Sequence, residues 1–127
     1  ETNSAQDITK YIQANFKGEE LQIKAAHFYV ASTISYDVTH NFSTELLNSE
    51  EDFVSKALTS KKGVCIHYAK LLKAIVDELN YPCEIIAGYT KQNNQIAKLS
   101  HAWCAIKFKD NNWYIFDPTW DSGFVNN

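Results

Sequence analysis

Cys65, His101 and Asp117 are the residues of this sequence whose types and spacing could support nucleophilic chemistry. Cys65 lies in the first turn of the strongest helical pattern in the chain, directly after Gly63 and Val64. The free N–H groups at a helix N-terminus favour negative charge, and the thiolate is the nucleophilic form of cysteine. Gly63 also permits close backbone approach, so the Cys65 N–H could stabilise an oxyanion. The position of Cys65 alone is equally typical of a small buried hydrophobic residue, so a catalytic role requires partner side chains.

The partners of Cys65 depend on the register of a predicted hairpin. His101 opens one alternating stretch of sequence and Asp117 closes the next. A turn at residues 109–111 sets Asp117 opposite Trp103 and makes it a diagonal neighbour of His101, roughly 7–8 Å away between backbones. On this register the residues that share one face are His101, Trp103, Ala105, Ile115 and Asp117. A slip of one residue would separate His101 from Asp117 onto opposite faces.

A helix that presents Cys65 against that face would complete a triad. Cys65 attacks a carbonyl, His101 accepts the thiol proton and returns it to the leaving group, and Asp117 orients the ring and stabilises the imidazolium. Such a triad performs acyl transfer, and a thiolate–imidazolium pair suits amide or thioester carbonyls. The acyl acceptor remains open between water and an amine.

Three further residues are candidates for substrate contact: Trp103, His67 and Tyr36. Trp103 shares the predicted face of His101, although aromatic residues in strands usually pack in a core. His67 lies near Cys65, but a partly exposed helical histidine is more often structural. Tyr36 and Asn41 are the candidates for a second oxyanion donor.

A zinc site built from Cys65, His101 and Asp117 is the other chemical option, because all three are possible ligands. No paired CxxC or HxxxH motif supports it. His27 lies in an apolar helical stretch and His40 in a polar one, without metal-ligand spacing. We therefore expect no metal and no cofactor.

Helices that position Cys65 are predicted from apolar residues at three- and four-residue steps. They cover residues 7–17, 19–36, 49–60 and 65–79. Ser49 is the predicted N-cap of the third helix, since three acidic residues follow it. The polar stretch 37–48 is predicted to be a loop.

Strands are predicted over residues 83–89, 101–108 and 113–117, where the apolar pattern shortens to a period of two. Helices followed by hairpin-connected strands indicate an α+β domain with an antiparallel sheet. By parity, Cys104 faces away from His101 and into the core. Cys83 and Cys104 are expected to be free thiols.

The length of 127 residues fits one domain over residues 1–127, and the absence of an initial Met suggests part of a longer chain. All twelve basic residues are Lys and the net charge is −3, so no guanidinium is available for bidentate contacts with phosphate or guanine. We expect no nucleic-acid partner. No stretch approaches the roughly 20 apolar residues that span a bilayer, so we expect no membrane insertion. We expect a monomer.

Four segments occur in the order of the motifs of a known family: 63–65, 82–89, 101–103 and 113–120. They read Gly-Val-Cys, Pro-Cys-Glu-Ile-Ile-Ala-Gly-Tyr, His-Ala-Trp and Trp-Tyr-Ile-Phe-Asp-Pro-Thr-Trp. They resemble the core of the transglutaminase-like superfamily, and most of all its small bacterial and kyphoscoliosis-peptidase-like members. The resemblance extends over residues 24–122.

This resemblance implies a papain-like fold with a central helix that carries Cys65 on an antiparallel sheet, and a triad of Cys65, His101 and Asp117. It also implies a cysteine peptidase, an amidase or a protein transglutaminase that acts on proteins or peptides. No acidic cluster resembles a calcium loop, so calcium dependence is not expected. The residues do not determine the cellular compartment, and the resemblance to the family favours a secreted or surface-attached bacterial protein.

The sequence departs from the family pattern around the nucleophile. Ile66 and His67 follow Cys65 where small residues are common, which suggests a narrower or more polar rim of the cleft. Cys104 stands where Asn often follows the His-Ala-Trp motif, and the interval from His101 to Asp117 is one residue longer than usual. The alternative function is a non-catalytic module that binds peptide or cell-wall material. The reactivity of the Cys65 thiol would separate the two functions.

Overall fold

Helices dominate the described residues up to Glu78, and the three long strands of the main sheet follow them. The computed structural model describes residues 4–37, 52–92, 95–119 and 121. The helices are α1 (Ala5–Asn15), α2 (Glu19–Thr33), α3 (Phe53–Ser60) and α4 (Cys65–Glu78). The strands are β1 (Ser35–Tyr36), β2 (Lys62–Gly63), β3 (Cys83–Gln92), β4 (Gln95–Lys107) and β5 (Trp113–Phe116). The predicted α+β class with an antiparallel sheet is confirmed.

Polar side chains determine where α1 and α3 begin. The Ser4 hydroxyl accepts a hydrogen bond from the Asp7 N–H at 3.1 Å, and the Asp52 carboxylate accepts one from the Ser55 N–H at 3.0 Å. The prediction of Ser49 as the cap of α3 is wrong. Asp52 immediately precedes the helix, so its carboxylate is the one that reaches the free N–H groups of the first turn.

A short parallel pair of strands joins the end of α2 to the start of α4. Ser35 pairs with Lys62, and Tyr36 pairs with Gly63. The helix predicted over residues 19–36 therefore ends before this pair, where the chain becomes extended. Two-residue strands carry no periodicity, so the sequence does not predict them.

The main sheet has the order β3-β4-β5, with antiparallel neighbours. Lys107 pairs with Trp113 and Ala105 pairs with Ile115, which confirms the predicted register of the second hairpin. β4 begins earlier than the predicted start at His101, because its ladder with β3 continues to the end of that strand.

The long helix α4 covers one face of the sheet. On β4 this face carries the buried residues Ala102, Cys104 and Ile106. The Cys104 thiol donates to the Ala69 carbonyl of α4 at 3.4 Å, so the helix lies on the Cys104 side, as the parity of Cys104 predicts. The expectation that the helix carrying Cys65 packs against the face that bears His101 is therefore wrong. Cys65 and His101 meet only at the N-terminal end of α4.

Candidate active site

Cys65 is the first residue of α4, and only 1% of it is exposed. Val64 caps the helix with extended backbone geometry, and its N–H donates to Nδ1 of His67 at 3.1 Å. The N–H groups in the first turn of a helix have no intrahelical partner. The sulfur therefore lies at the end of α4 where backbone donors favour negative charge.

Gly63 is required by the packing just before Cys65. A Cβ on Gly63 would lie 2.5 Å from the Cβ of His67 and 2.6 Å from its Cγ, which is closer than real Cβ atoms approach. Gly63 also pairs with Tyr36 across β1 and β2. The backbone that leads to Cys65 is thus held by a strand on one side and by a histidine on the other.

His67 lies in the protein interior and caps α4. It is 5% exposed, accepts the hydrogen bond from the Val64 N–H, and packs against the Phe53 ring at 5.1 Å between centroids and 77° between planes. The prediction that His67 is partly exposed is therefore wrong, and its contact with substrate stays a prediction. The missing side chain of Gly63 leaves room for the ring to fold back over the helix start.

His101 and Asp117 form the second half of the site. Nε2 of His101 lies 2.7 Å from Oδ2 of Asp117, and the two side chains are 15% and 20% exposed. A carboxylate only accepts hydrogen bonds, so Nε2 is the donor. This bond fixes the orientation of the ring and leaves Nδ1 on the side away from Asp117.

The imidazole of His101 is also hydrogen bonded to the Cys65 side chain. Burial of the ring lowers the pKa of His101, but the hydrogen bonds to Asp117 and Cys65 and the charges of these groups outweigh burial and raise it to about 9. His101 is thus protonated at neutral pH when the sulfur is ionised. The structure brings the three residues singled out in the sequence into one hydrogen-bonded chain.

Trp103 packs on the ring of His101. The two ring centroids are 5.7 Å apart and the planes differ by 30°. Trp103 also extends across β3, because a Cβ on Gly88 would lie 3.3 Å from its Cη2 atom. Trp103 is half-buried and lies beside the imidazole, where it could contact a substrate.

Tyr36 lies close enough to Cys65 for the charge of the sulfur to affect its hydroxyl group. Its ring centroid is 6.3 Å from that of Tyr68. Burial raises the pKa of Tyr36, and the charges of Cys65 and Asp37 raise it further, so its hydroxyl stays protonated. The other predicted oxyanion donor, Asn41, lies outside the described residues.

Cys65, Cys83 and Cys104 are all free and buried, so the expectation of free thiols at Cys83 and Cys104 is confirmed. The Cys83 side chain is hydrogen bonded to Cys104, and this bond together with burial raises the pKa of the Cys104 thiol. These two thiols belong to the core and not to the site.

A second histidine–carboxylate pair, which the sequence does not predict, joins His27 to Asp121. Nε2 of His27 lies 2.8 Å from Oδ2 of Asp121. The two residues are far apart in the chain, and His27 was interpreted only as part of an apolar helix. The available signal was a histidine on a buried helix together with an aspartate just after the segment of Asp117.

A separate cavity of about 410 Å³ opens between α1 and α2. Its lining residues are Ile8, Tyr11, Ile12, Phe16, Ala25, Phe28, Tyr29 and Ser32. None of them belongs to the site of Cys65. Within the described ranges, no group of three or more His, Cys, Asp or Glu residues is arranged to hold a metal ion.

Comparison with known families gives a match over most of the chain. A family model of the transglutaminase-like superfamily matches residues 5–118. Among curated proteins, cytokinesis protein 3 of Schizosaccharomyces pombe (strain 972 / ATCC 24843) is 27% identical over 107 residues. That match covers 80% of this chain and 11% of the yeast protein.

Solved structures share the fold. The periplasmic domain of TgpA from Pseudomonas aeruginosa superposes with a TM-score of 0.72 at 18% identity, over 94% of this chain and 43% of that one. A candidate cysteine protease from Cytophaga hutchinsonii gives a TM-score of 0.68 at 22% identity, over 91% of this chain and 37% of that one. The chain spans less than half the length of each of these relatives.

Proposed function

The chain belongs to the transglutaminase-like superfamily, and from this premise we propose that it catalyses thiol-dependent acyl transfer on amide bonds through Cys65, His101 and Asp117. Proteins described as a cysteine protease candidate and as a TGase share its fold. The observation that carries the proposal is the hydrogen-bonded chain from the Cys65 thiol through His101 to the Asp117 carboxylate.

In the first step, the Cys65 thiolate attacks the amide carbonyl and a C–S bond forms. Negative charge develops on the carbonyl oxygen, and the Cys65 N–H at the start of α4 is the donor placed to stabilise it. His101 then gives its proton to the nitrogen of the leaving amine, and the C–N bond breaks. Asp117 holds the ring in position and stabilises its charged form.

In the second step, an acceptor attacks the thioester on Cys65. His101 takes a proton from the acceptor, the C–S bond breaks, and the thiolate is restored. Water as acceptor gives a peptidase or amidase, and a primary amine gives a transglutaminase. The substrate class we propose is a protein or peptide amide, held beside Trp103 and Tyr36.

The test is the rate of iodoacetamide labelling against pH, read by mass spectrometry at each cysteine. Ordinary thiols label slowly below about pH 8.5. We expect Cys65 to label fast well below that pH in the wild type and slowly in His101→Ala. Cys83 and Cys104 are matched controls in the same spectra, because all three thiols are buried but these two pair with each other and not with His101.

A second measurement separates the two acceptors. Candidate peptides are incubated with the protein with and without a labelled primary amine, and the products are identified by mass. Transfer of the amine would establish a transglutaminase, and release of the acid alone would establish a hydrolase. In the iodoacetamide experiment, equal and slow alkylation of all three thiols would contradict the proposed enzymatic function and favour a binding module.

We also propose that the protein acts outside the cytoplasm of a bacterium. The support is its likeness to the periplasmic domain of TgpA. No helix among the described residues is both long and apolar enough to cross a membrane. Cell fractionation followed by detection of the protein tests this proposal, and recovery only with the cytoplasmic fraction would contradict it.

A further inference from the structure

His27 contacts the chain on both sides of Asp117. Its Nε2 lies 2.8 Å from Oδ2 of Asp121, and its ring packs edge-on against Phe116 with 5.3 Å between centroids and 63° between planes. Phe116 directly precedes Asp117. The Asp121 N–H donates to the carbonyl of Asp117 at 3.2 Å, so Asp121 is bonded both to His27 and to the backbone of Asp117.

We propose that His27 is a positioning residue for acyl transfer: it anchors Phe116 and Asp121 to α2 and thereby keeps Asp117 aligned with His101. This inference rests on the proposed function of Cys65, His101 and Asp117. His27 touches neither the sulfur nor the predicted substrate side chains in any described contact. Its effect on the reaction is transmitted through the backbone of the anchored segment.

Asp117 needs such an anchor because it lies beyond the end of β5. The ladder between β4 and β5 stops at the pair of Cys104 with Phe116. The hydrogen bond from His101 to Asp117 depends on a separation of 2.7 Å and weakens steeply as the geometry deteriorates. A displacement of 1 Å in a reacting group can cost roughly 100-fold in rate.

The chemistry of the His27 ring supports an anchoring role. The side chain is 16% exposed, and its Nδ1 atom is buried without a hydrogen-bond partner among the described residues. A buried polar atom without a partner costs free energy. An apolar ring would pack against Phe116 without that cost. The distinctive contribution of the imidazole is therefore the N–H that it donates to Asp121.

The test compares variants by the pH profile of Cys65 alkylation. His27→Phe keeps an aromatic ring against Phe116 and removes the donor to Asp121. We expect its Cys65 labelling rate to lie about tenfold below the wild-type rate at pH 6.5 and to approach it by pH 9, since a poorly held Asp117 no longer stabilises protonated His101. His27→Gln retains an N–H near the position of Nε2, and we expect it to recover to within about twofold of the wild type.

Two matched variants separate positioning from loss of stability. Val30→Ala removes buried volume from the same helix at a residue that is 0% exposed, and we expect it to lower the melting temperature without moving the pH profile. Asp121→Ala should reproduce the effect of His27→Phe. The double variant His27→Phe/Asp121→Ala should be no worse than either single variant, because one interaction is lost in all three.

The outcomes distinguish this inference from the proposed function. A wild-type profile that does not depend on His101 would overturn the proposed function and the role of His27 with it. A profile that depends on His101 but is unchanged in a folded His27→Phe would overturn the role of His27 alone. A profile that shifts equally in His27→Phe and Val30→Ala would also overturn it, since the effect would then be general loosening.

Discussion

Two histidine–carboxylate pairs of this chain have nearly the same bond and different surroundings. The ring-to-carboxylate distance is 2.7 Å in His101–Asp117 and 2.8 Å in His27–Asp121. Asp117 is 20% exposed, whereas Asp121 is 63% exposed. The ring of His101 has a thiol as a further partner, while Nδ1 of His27 has none in the described part of the chain.

The further partner of the ring, and not the histidine–carboxylate pair itself, therefore determines what each histidine can do. A ring between a thiol and a carboxylate can take a proton from one and be stabilised by the other. A ring with a carboxylate alone can only hold two segments together. Because water screens an exposed carboxylate, the pair with Asp121 contributes chiefly as a tether.

The largest expected difference between the pairs comes from changing the two carboxylates in the same way. We expect Asp117→Asn to lower the rate of acyl transfer by about 10²–10⁴-fold, because the neutral amide no longer stabilises the imidazolium. Asp121→Asn should lower it less than about threefold, since the amide oxygen still accepts from His27. The measurement is kcat/KM on an amide substrate. Equal losses in the two variants would show that the two carboxylates do not differ in their role.

A second prediction concerns the pH dependence of stability. The pKa of His101 in the folded protein, about 9, exceeds the ordinary value of 6.5. Its protonation therefore stabilises the fold fully below pH 6.5, and this contribution is lost as pH rises through 9. We expect the unfolding free energy of the wild type, relative to His101→Gln, to fall by up to about 3 kcal/mol between pH 6 and 9.5.

Urea unfolding of both proteins at several pH values measures this difference. A gap between wild type and His101→Gln that stays constant from pH 6 to 9.5 would contradict the prediction. It would mean that His101 gains no protonation on folding.

A third prediction concerns His67, which belongs to neither pair. We expect Gly63→Ala to destabilise the fold by about 1–3 kcal/mol, because the new Cβ would meet the Cβ of His67 at 2.5 Å. The measurement is again urea unfolding. Combination with His67→Gly, which removes the clashing atom, should recover part of the loss. A cost below about 0.5 kcal/mol for Gly63→Ala would show that the cap adapts without strain.

The smallest expected effect is at Gly88. An added Cβ would lie 3.3 Å from Cη2 of Trp103, so the indole would have to move by a few tenths of an ångström. We expect Gly88→Ala to change the acyl-transfer rate by no more than about threefold, or less than 1 kcal/mol. A loss above tenfold would mean that stacking by Trp103 positions His101 as strictly as Asp117 does.

The register that unites His101 and Asp117 could be predicted because two constraints agree. The polar turn at residues 109–111 fixes the pairing, and a slip of one residue would move Cys104 and its neighbours out of the core. The place of Cys65 at the start of α4 could be predicted from the helical pattern that begins there. Both signals are local or alternate with a short period, which is the kind of order a single sequence displays.

Other contacts could not be predicted because they join distant segments. His27 and Asp121 are 94 positions apart, and helical spacing indicates a buried face without indicating which strand end packs on it. The burial of His67 depends on a side chain that Gly63 lacks. The pairing of β1 with β2 extends over two residues on each side, too few for any periodicity.

Tyr36 pairs with Gly63 across β1 and β2, so the chain between them begins and ends close to Cys65. Lengthening a loop whose ends are already tied costs only about 0.6 kcal/mol for each doubling. Insertions between Asp37 and Asp52, ahead of α3, would therefore leave the pairing of β1 with β2 in place. The pairing separates the placement of Cys65 from the length of chain that precedes α3.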